Sequence, residues 1–306
     1  MDFLKSIVAS PECVGLNRLA ARATLFPFPD AAAAAAGVRN GRKHSPFVVD
    51  LDGEWAFRLL PEPEAIAPAD HDPATDDAGW DRVAVPGCWV MQGYGHPHYT
   101  NVFMPFPELP PELPKENAVG MYRRTFEVPE DWRERRMVLH FDGADSCFLV
   151  WVNGVFIGMS KDSRGETEFD ITAATRFGGA NQISVAVVRW SSGTWIEDQD
   201  QWYLPGLSRS VYCYSTARQF VGDLFARTTL ADDYRTGKLH VEISAGFLPD
   251  AAPTFGTLTG YTYAEPEGWS CRVQLWDPAG KPVWAVALSF NGRTRQFKGG
   301  AALPVK

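Results

Sequence analysis

The sequence predicts an all-β protein, a jelly-roll β-sandwich followed by a partial immunoglobulin-like β-sandwich, and three observations predict it. From about residue 47 onward, short apolar runs follow one another between Gly, Pro, Asn and Asp punctuation, with no sustained helical period. Asn153-Gly154, set between Val152 and Val155, is the strongest short hairpin signal a sequence can carry. The 306 residues leave room for two domains with cores of their own. Regularly spaced strands over residues 47–216 fit a jelly roll. Residues 217–306 fit an immunoglobulin-like sandwich that is incomplete, because about seven strands are needed there and only some four are clear. Residues 1–46 are expected to form an N-terminal arm.

Taken in order, the arm carries little regular pattern. Val14–Ala20 is followed by Pro27 and Pro29, and the polyalanine run Ala31–Ala36 supports a short local helix at best. Around Asp52-Gly53 the alternation of Trp55, Phe57 and Leu59 predicts a strand with one apolar face. After an acidic, Pro-rich loop over 61–79, Trp80–Val85 reads as a short strand stopped by Pro86. Residues 86–118 read as one long loop rich in Pro, Gly and aromatics, a kind that is uncommon unless functional or pinned. Within it His96 and His98 suggest a metal pair, but no acid or cysteine stands at ligand spacing, so the metal reading is the weaker one.

Strand signals then follow at Gly120–Val128, Arg136–Phe141, Cys147–Val152, Val155–Gly158, Glu168–Ile171, Gln182–Trp190 and Ser210–Tyr214. The second stretch offers Phe220–Thr229, Lys238–Ser244, Cys271–Trp276 and Val283–Phe290, with Asp277-Pro278-Ala279-Gly280 as a hairpin turn. The tail from Gly299 to Lys306 is expected to add no further strand.

Composition narrows the function classes. The net charge is −8 and no basic run tracks a phosphate backbone, which argues against nucleic acid as a partner. The five cysteines, Cys13, Cys88, Cys147, Cys213 and Cys271, are scattered without a CxxC pair, so neither a zinc site nor a disulfide framework is indicated. The N-terminal apolar stretch is too short and interrupted for a signal core, and no window has the apolar length of a membrane helix. A reduced, cytoplasmic setting without membrane contact is the expectation.

The chemistry concentrates in residues 189–209. Glu197, Asp198 and Asp200 stand together, flanked by Trp190, Trp195, Trp202 and Tyr203. Carboxylates accept hydroxyls and aromatic faces cover C–H surfaces, which is what a polyol needs. The competing reading is plain architecture, since β-loops often carry acids and tryptophans are usually core.

A resemblance decides between them. Leu16-Asn17-Arg18-Leu19-Ala20, Leu51–Phe57, Tyr99-Thr100-Asn101-Val102, Pro114-Lys115-Glu116-Asn117, Phe141-Asp142-Gly143, Trp151–Gly154, Gly158–Arg164, Glu168-Phe169-Asp170, Arg189-Trp190 and Ile196–Trp202 fall in order over roughly residues 13–230. Together they resemble the N-terminal part of bacterial β-galactosidases, in the glycoside hydrolase family that also holds β-glucuronidases and β-mannosidases. The resemblance implies a sugar-binding jelly roll, an immunoglobulin-like domain and then a catalytic barrel. It implies a β-galactoside substrate such as lactose, with Asn101 hydrogen-bonding the galactosyl ring. Asp200 would bind galactosyl hydroxyls and help coordinate sodium, a fit for a carboxylate facing a hard cation. Glu197 and Asp198 would support the loop.

Sodium and magnesium are implied for the complete enzyme, but neither is demonstrable in this chain. Ser192 stands where some relatives have an aspartate of a peripheral magnesium site, so that site is not expected here. The sequence after about residue 290 also lacks the tryptophan-rich segment expected before the barrel. Retaining glycosidases need two carboxylates roughly 5–5.5 Å apart, and the resemblance places both in the barrel. The acids at 197, 198 and 200 share one loop and make a poor substitute pair. No residue of this chain is therefore expected to be catalytic, and two readings stand. One is the N-terminal portion of a homo-oligomeric β-galactosidase, inactive alone. The other is a free-standing module that binds carbohydrate or a partner chain carrying the barrel.

Overall fold

The computed structural model describes residues 2–40, 44–101, 103–197, 200–232, 234–248, 270–291 and 296–304. Contacts divide the chain into two units, residues 1–21 with 47–215 and residues 22–46 with 216–306. The chain is mostly strand. No described helix is long and apolar enough to cross a membrane.

The first unit begins with α1 (Asp2–Ala9) and β1 (Gly15–Leu16). It continues through β2 (Val48–Asp50), β3 (Gly53–Leu60), β4 (Asp81–Val85), β5 (Gly87–Cys88), β6 (His98–Thr100) and β7 (Val119–Val128). Then come β8 (Arg136–Phe141), β9 (Cys147–Val152), β10 (Val155–Ser160), β11 (Thr167–Asp170) and β12 (Gly179–Val188). β13 (Gln201–Tyr203), β14 (Gly206–Leu207) and β15 (Val211–Thr216) complete it. A seven-stranded sheet, in the order β1-β10-β9-β12-β7-β3-β4, and a four-stranded sheet, β11-β8-β15-β2, make the sandwich. The core between them draws Trp55, Tyr122, Val150 and Val185 from the larger sheet, and Leu139, Phe141, Phe169 and Cys213 from the smaller. At the Asn153-Gly154 turn both residues take positive φ (53° and 82°), the conformation that lets Val152 pair directly with Val155.

The outer face of the seven-stranded sheet is covered as well. Met121, Leu149, Trp151 and Val188 form a second cluster with Ile7 and Val8 of α1 and with Ile66. The expectation of an arm with little regular pattern overlooked α1, although Phe3, Leu4, Ile7 and Val8 follow the spacing of an amphipathic helix; Ile7 and Val8 are buried by docking on this face. The apolar face expected of Trp55, Phe57 and Leu59 needs correction. Trp55 and Phe57 are buried, but Leu59 is 38% exposed and Leu60 is buried in the outer cluster instead. Leu59 pairs with Gly120, and Trp89 lies so close over that glycine that a Cβ there would sit 2.5 Å from its ring. The inner space at this level is already filled. The long loop over 86–118 is also less irregular than expected, since it contains β5, a tight helical turn at Trp89–Gln92 and β6.

In the second unit, α2 (Ala31–Asn40) extends beyond the polyalanine run. Asp30 caps it, its Oδ1 accepting from Ala33 N at 2.8 Å. β16 (Gln219–Leu230), β17 (Thr236–Phe247), β18 (Cys271–Trp276), β19 (Pro282–Asn291) and β20 (Gln296–Pro304) form one antiparallel sheet in the order β16-β17-β20-β19-β18. The turn at 277–280 closes as expected, with Lys281 N donating to Asp277 Oδ1 at 2.8 Å. β20 overturns the expectation of a strandless tail. It pairs with β17 from Ser244–Gln296 to Thr236–Pro304. Its glycines permit the approach: a Cβ on Gly299 would meet Leu288 at 2.3 Å, and one on Gly300 would meet the Leu239 carbonyl at 2.5 Å. The core here is a single row, Leu239, Val241, Ile243, Ala245 and Phe247, with Leu288. Among the described residues the strands of this unit form one sheet, without the second layer of an immunoglobulin-like sandwich.

Candidate functional site

β6 and β13 pair only with each other, in a two-stranded antiparallel ribbon. Thr100 faces Gln201, Tyr99 faces Trp202 and His98 faces Tyr203. One step beyond the Thr100–Gln201 pair, Asn101 leaves β6 just where Asp200 enters β13. Two residues that lie far apart in sequence thus come together at one ribbon end, and both are exposed. Tyr99 ties them: its hydroxyl donates to the Asp200 carboxylate and also hydrogen-bonds Asn101. The hydrogen bond to Asp200 raises the phenol above its ordinary value, with burial adding and Asn101 opposing. Tyr99 packs against Trp202 with ring centroids 5.3 Å apart. Tyr99 is 49% and Trp202 is 55% exposed, so each offers a free aromatic face beside the carboxylate and the amide.

The other aromatics of the loop are framework. Trp190 and Tyr203 are buried and packed together with centroids 5.0 Å apart. Asn117 clamps Trp190 by two 2.8 Å hydrogen bonds, one to its carbonyl and one from its N–H. Phe106 stands between Trp190 and Trp195, and the Trp195 indole donates to the Glu112 carbonyl at 3.0 Å. Of the four aromatics that flank the acids, Trp202 alone is left for a ligand.

Glu197 turns inward. Its half-buried carboxyl is raised by burial first, with a smaller lowering from a Ser163 hydrogen bond. Gln201 Nε2 donates to the Glu197 carbonyl at 3.1 Å, and Arg164 joins Gln201 to Asp145 by bonds of 3.2 and 3.0 Å. Asp198 lies outside the described residues.

Ser192 is buried near the end of α1. Lys161 Nζ donates to Ser192 Oγ at 3.0 Å and to the Ser10 carbonyl at 2.6 Å, and the Ser192 hydroxyl donates to the same carbonyl at 3.1 Å. Lys161 thus places an ammonium beside Ser192. His96 and His98 lie with centroids 4.8 Å apart, but Arg189 occupies His98 Nδ1 and the His96 carbonyl. Burial, helped by Arg189 and His96, holds His98 below its ordinary value.

Sequence reasoning from residue patterns alone missed Tyr99, because nothing local shows that its hydroxyl bridges two loops. It also missed a buried polar group on the four-stranded sheet. His140 Nδ1 lies 3.0 Å from Glu168 Oε1 and Nε2 lies 2.8 Å from Asp142 Oδ1, while Tyr214 donates to the same glutamate oxygen at 2.9 Å. His140, Asp142 and Glu166 bring possible metal-ligand atoms within 4.8 Å of one another. Both imidazole nitrogens are already engaged by carboxylates, which suits a hydrogen-bonded histidine better than a ligand.

Comparison with known proteins gives a consistent picture. Residues 48–217 match the model described as glycosyl hydrolases family 2, sugar binding domain. The chain is 39% identical over 287 residues to a β-galactosidase of Priestia megaterium, covering 92% of this chain and 26% of that protein. It is 40% identical over 252 residues to a β-galactosidase of Psychromonas ingrahamii, covering 82% of this chain and 23% of that protein. The chain spans about a quarter of the length of these curated relatives. Among solved structures, the β-glucuronidase of Bifidobacterium dentium complexed with coumarin-3-O-glucuronide matches with a TM-score of 0.60 over 85% of this chain and 42% of its own. At 20% identity that likeness speaks to the fold.

Proposed function

The chain belongs to glycosyl hydrolase family 2, whose sugar-binding domain it carries, and from that premise we propose that it is the N-terminal portion of a β-galactosidase acting on terminal β-D-galactosides such as lactose. The observation that supports this most is the ribbon, which sets Asn101 opposite Asp200 beside the open faces of Tyr99 and Trp202. The relatives named as β-galactosidases support the choice of sugar. In this reading Asn101 donates to and accepts from hydroxyls of the galactosyl ring, and Asp200 accepts from two of them. Trp202 covers a C–H face of the ring. Asp200 would also hold sodium. One carboxylate with the neutral oxygens of Asn101 and Tyr99 suits a monovalent hard cation, and the cation would fix the carboxylate against the sugar.

The chemistry itself is retaining hydrolysis by two carboxylates about 5–5.5 Å apart, supplied by a barrel outside these 306 residues. The sandwich contributes one wall of a site within a larger, oligomeric enzyme. The second unit, on this reading, is its immunoglobulin-like domain.

The test is a purified 306-residue chain assayed with a chromogenic β-galactoside and titrated with galactose while Trp202 fluorescence is followed. No turnover is expected, with a weak galactose response at tens of millimolar at most, since half a site leaves most of the ligand in water. Asp200→Ala should remove that response. Turnover that Asp200→Ala abolishes would overturn the view that catalysis lies outside the chain. Micromolar galactose binding would instead make this a free-standing carbohydrate module.

A further inference from the structure

Arg189 is the least conventional charge in the sandwich. It is only 8% exposed, and Asp145, the carboxylate whose charge favours it, pairs with Arg164 rather than with Arg189. Nη2 donates to the His96 carbonyl at 2.8 Å and contacts His98 Nδ1. Nε is buried without a hydrogen-bond partner. The guanidinium carbon stands 5.1 Å from the centre of the Trp190 ring. Buried charges are ordinarily paired, because an unpaired one forfeits its hydration with nothing in return.

Arg189 also walls a cavity of about 680 Å³, large enough for a monosaccharide. Phe106, backed by Trp190, supplies its apolar surface, and the exposed Lys115 stands at its edge. Glu108 faces the same space, with an Oε2 that is shielded from solvent and has no partner. Glu116 contributes a second carboxylate at the exposed side. The two acids balance Arg189 and Lys115 in number, but neither pairs with Arg189.

We propose that this cavity binds a sugar acid, a monosaccharide-sized hydroxylated carboxylate. Its carboxylate would take the donors of Arg189 Nη1, since Nη2 is engaged and Nε is shielded. Its hydroxyls would donate to Glu108, and its C–H face would lie on Phe106. Each part of such a ligand answers a residue that lines the cavity. A neutral sugar would leave the guanidinium without a carboxylate partner, and a simple inorganic anion would leave Glu108 and the aromatic surface unused. The proposal stands independently of the galactoside reading.

Galacturonate and galactose differ only in the carboxylate, so titrating the whole chain with each isolates the interaction. Fluorine NMR on 5-fluorotryptophan-labelled protein would report at Trp190. A charge-assisted hydrogen bond from Arg189 should make galacturonate bind about tenfold tighter or more. Arg189→Gln should erase that preference. Equal affinity for the two sugars, no response to galacturonate, or a preference that survives Arg189→Gln would each overturn the proposal. If Arg189→Gln fails to fold, Lys115→Met at the exposed edge carries the test: the preference should fall severalfold, and an unchanged ratio would count against the site.

Discussion

β9 and β17 are both interior strands of their sheets, yet β9 buries all six of its residues while β17 alternates between buried and open positions along most of its length. The reason is what lies on each face. β9 sends Phe148, Val150 and Val152 into the sandwich core, and Cys147, Leu149 and Trp151 outward under α1 and the segment around Ile66. β17 sends Leu239, Val241, Ile243, Ala245 and Phe247 to one side. A sheet covered on both faces reads as a continuous apolar run, and a sheet covered on one reads as alternation. The contrast teaches that the first unit draws stability from two interfaces that share one sheet, whereas the described part of the second draws on one. It also explains why the candidate site sits where it does. The ribbon of β6 and β13 stands on Trp190 and Tyr203, which are locked into the doubly covered unit.

The comparison is broken or sharpened most strongly by truncating each core. Phe148 packs on Phe141 with centroids 4.7 Å apart and on Phe169 at 6.0 Å, so Phe148→Ala should cost about 3–5 kcal/mol. Ile243→Ala in β17 should cost about 2 kcal/mol, the low end for such a change, because less surrounds it. Urea unfolding followed by hydrogen exchange would read both. The sandwich should show the slower amides, and edge strand β16 should exchange early. If both substitutions shift one common transition equally, the two units unfold together and the contrast fails.

A smaller effect tests the outer cover. Lys161→Met removes the ammonium that holds the Ser10 carbonyl and Ser192, which should cost about 1–3 kcal/mol. Faster proteolysis within residues 1–10 should accompany it. Unchanged protease resistance would mean that Ile7 and Val8 suffice to dock α1.

The smallest effect is one of pH. Burial alone would lower His140, but its hydrogen bonds to Asp142 and Glu168 outweigh it and the imidazole is raised above its ordinary value. A raised folded value means the contribution is complete below the unfolded value, about 6.5, and is lost as pH rises through the folded one. The sandwich transition should therefore weaken as pH rises above neutral, and His140→Asn should flatten that slope while leaving the second unit's unchanged. Parallel pH curves for wild type and variant would assign the dependence to another group.

How much of this was legible depended on whether side chains or partners carry the signal. β8 and β9 were read to the residue, because β-branched and aromatic runs leave few alternatives. β20 was not, because its Gly299-Gly300-Ala301 run has almost no side chain to signal with. It is a strand because small residues let it lie close to β17 and β19. Leu59 and Leu60 could not be ranked from alternation, since the space beside Gly120, the partner of Leu59, is filled by Trp89, 30 positions away from Leu59. In the site, resemblance singled out Asn101 and Asp200 individually. Their juxtaposition depends on the register of two three-residue strands about 100 positions apart, which no local window contains. Arg189 was legible only as a strand-end arginine, and its buried, unpartnered Nε is a property of the folded neighbourhood.

That ribbon also makes the geometry of the site discrete. A slip of one residue between β6 and β13 would turn Tyr99 and Trp202 to opposite faces. A slip of two would restore the faces but carry Asp200 about 7 Å away from Asn101. There is no small adjustment in between. Sequence drift can therefore retune this wall by exchanging side chains at fixed stations, but an insertion in either loop has to be absorbed outside the paired residues or matched by its partner. The two loops are inherited as one part.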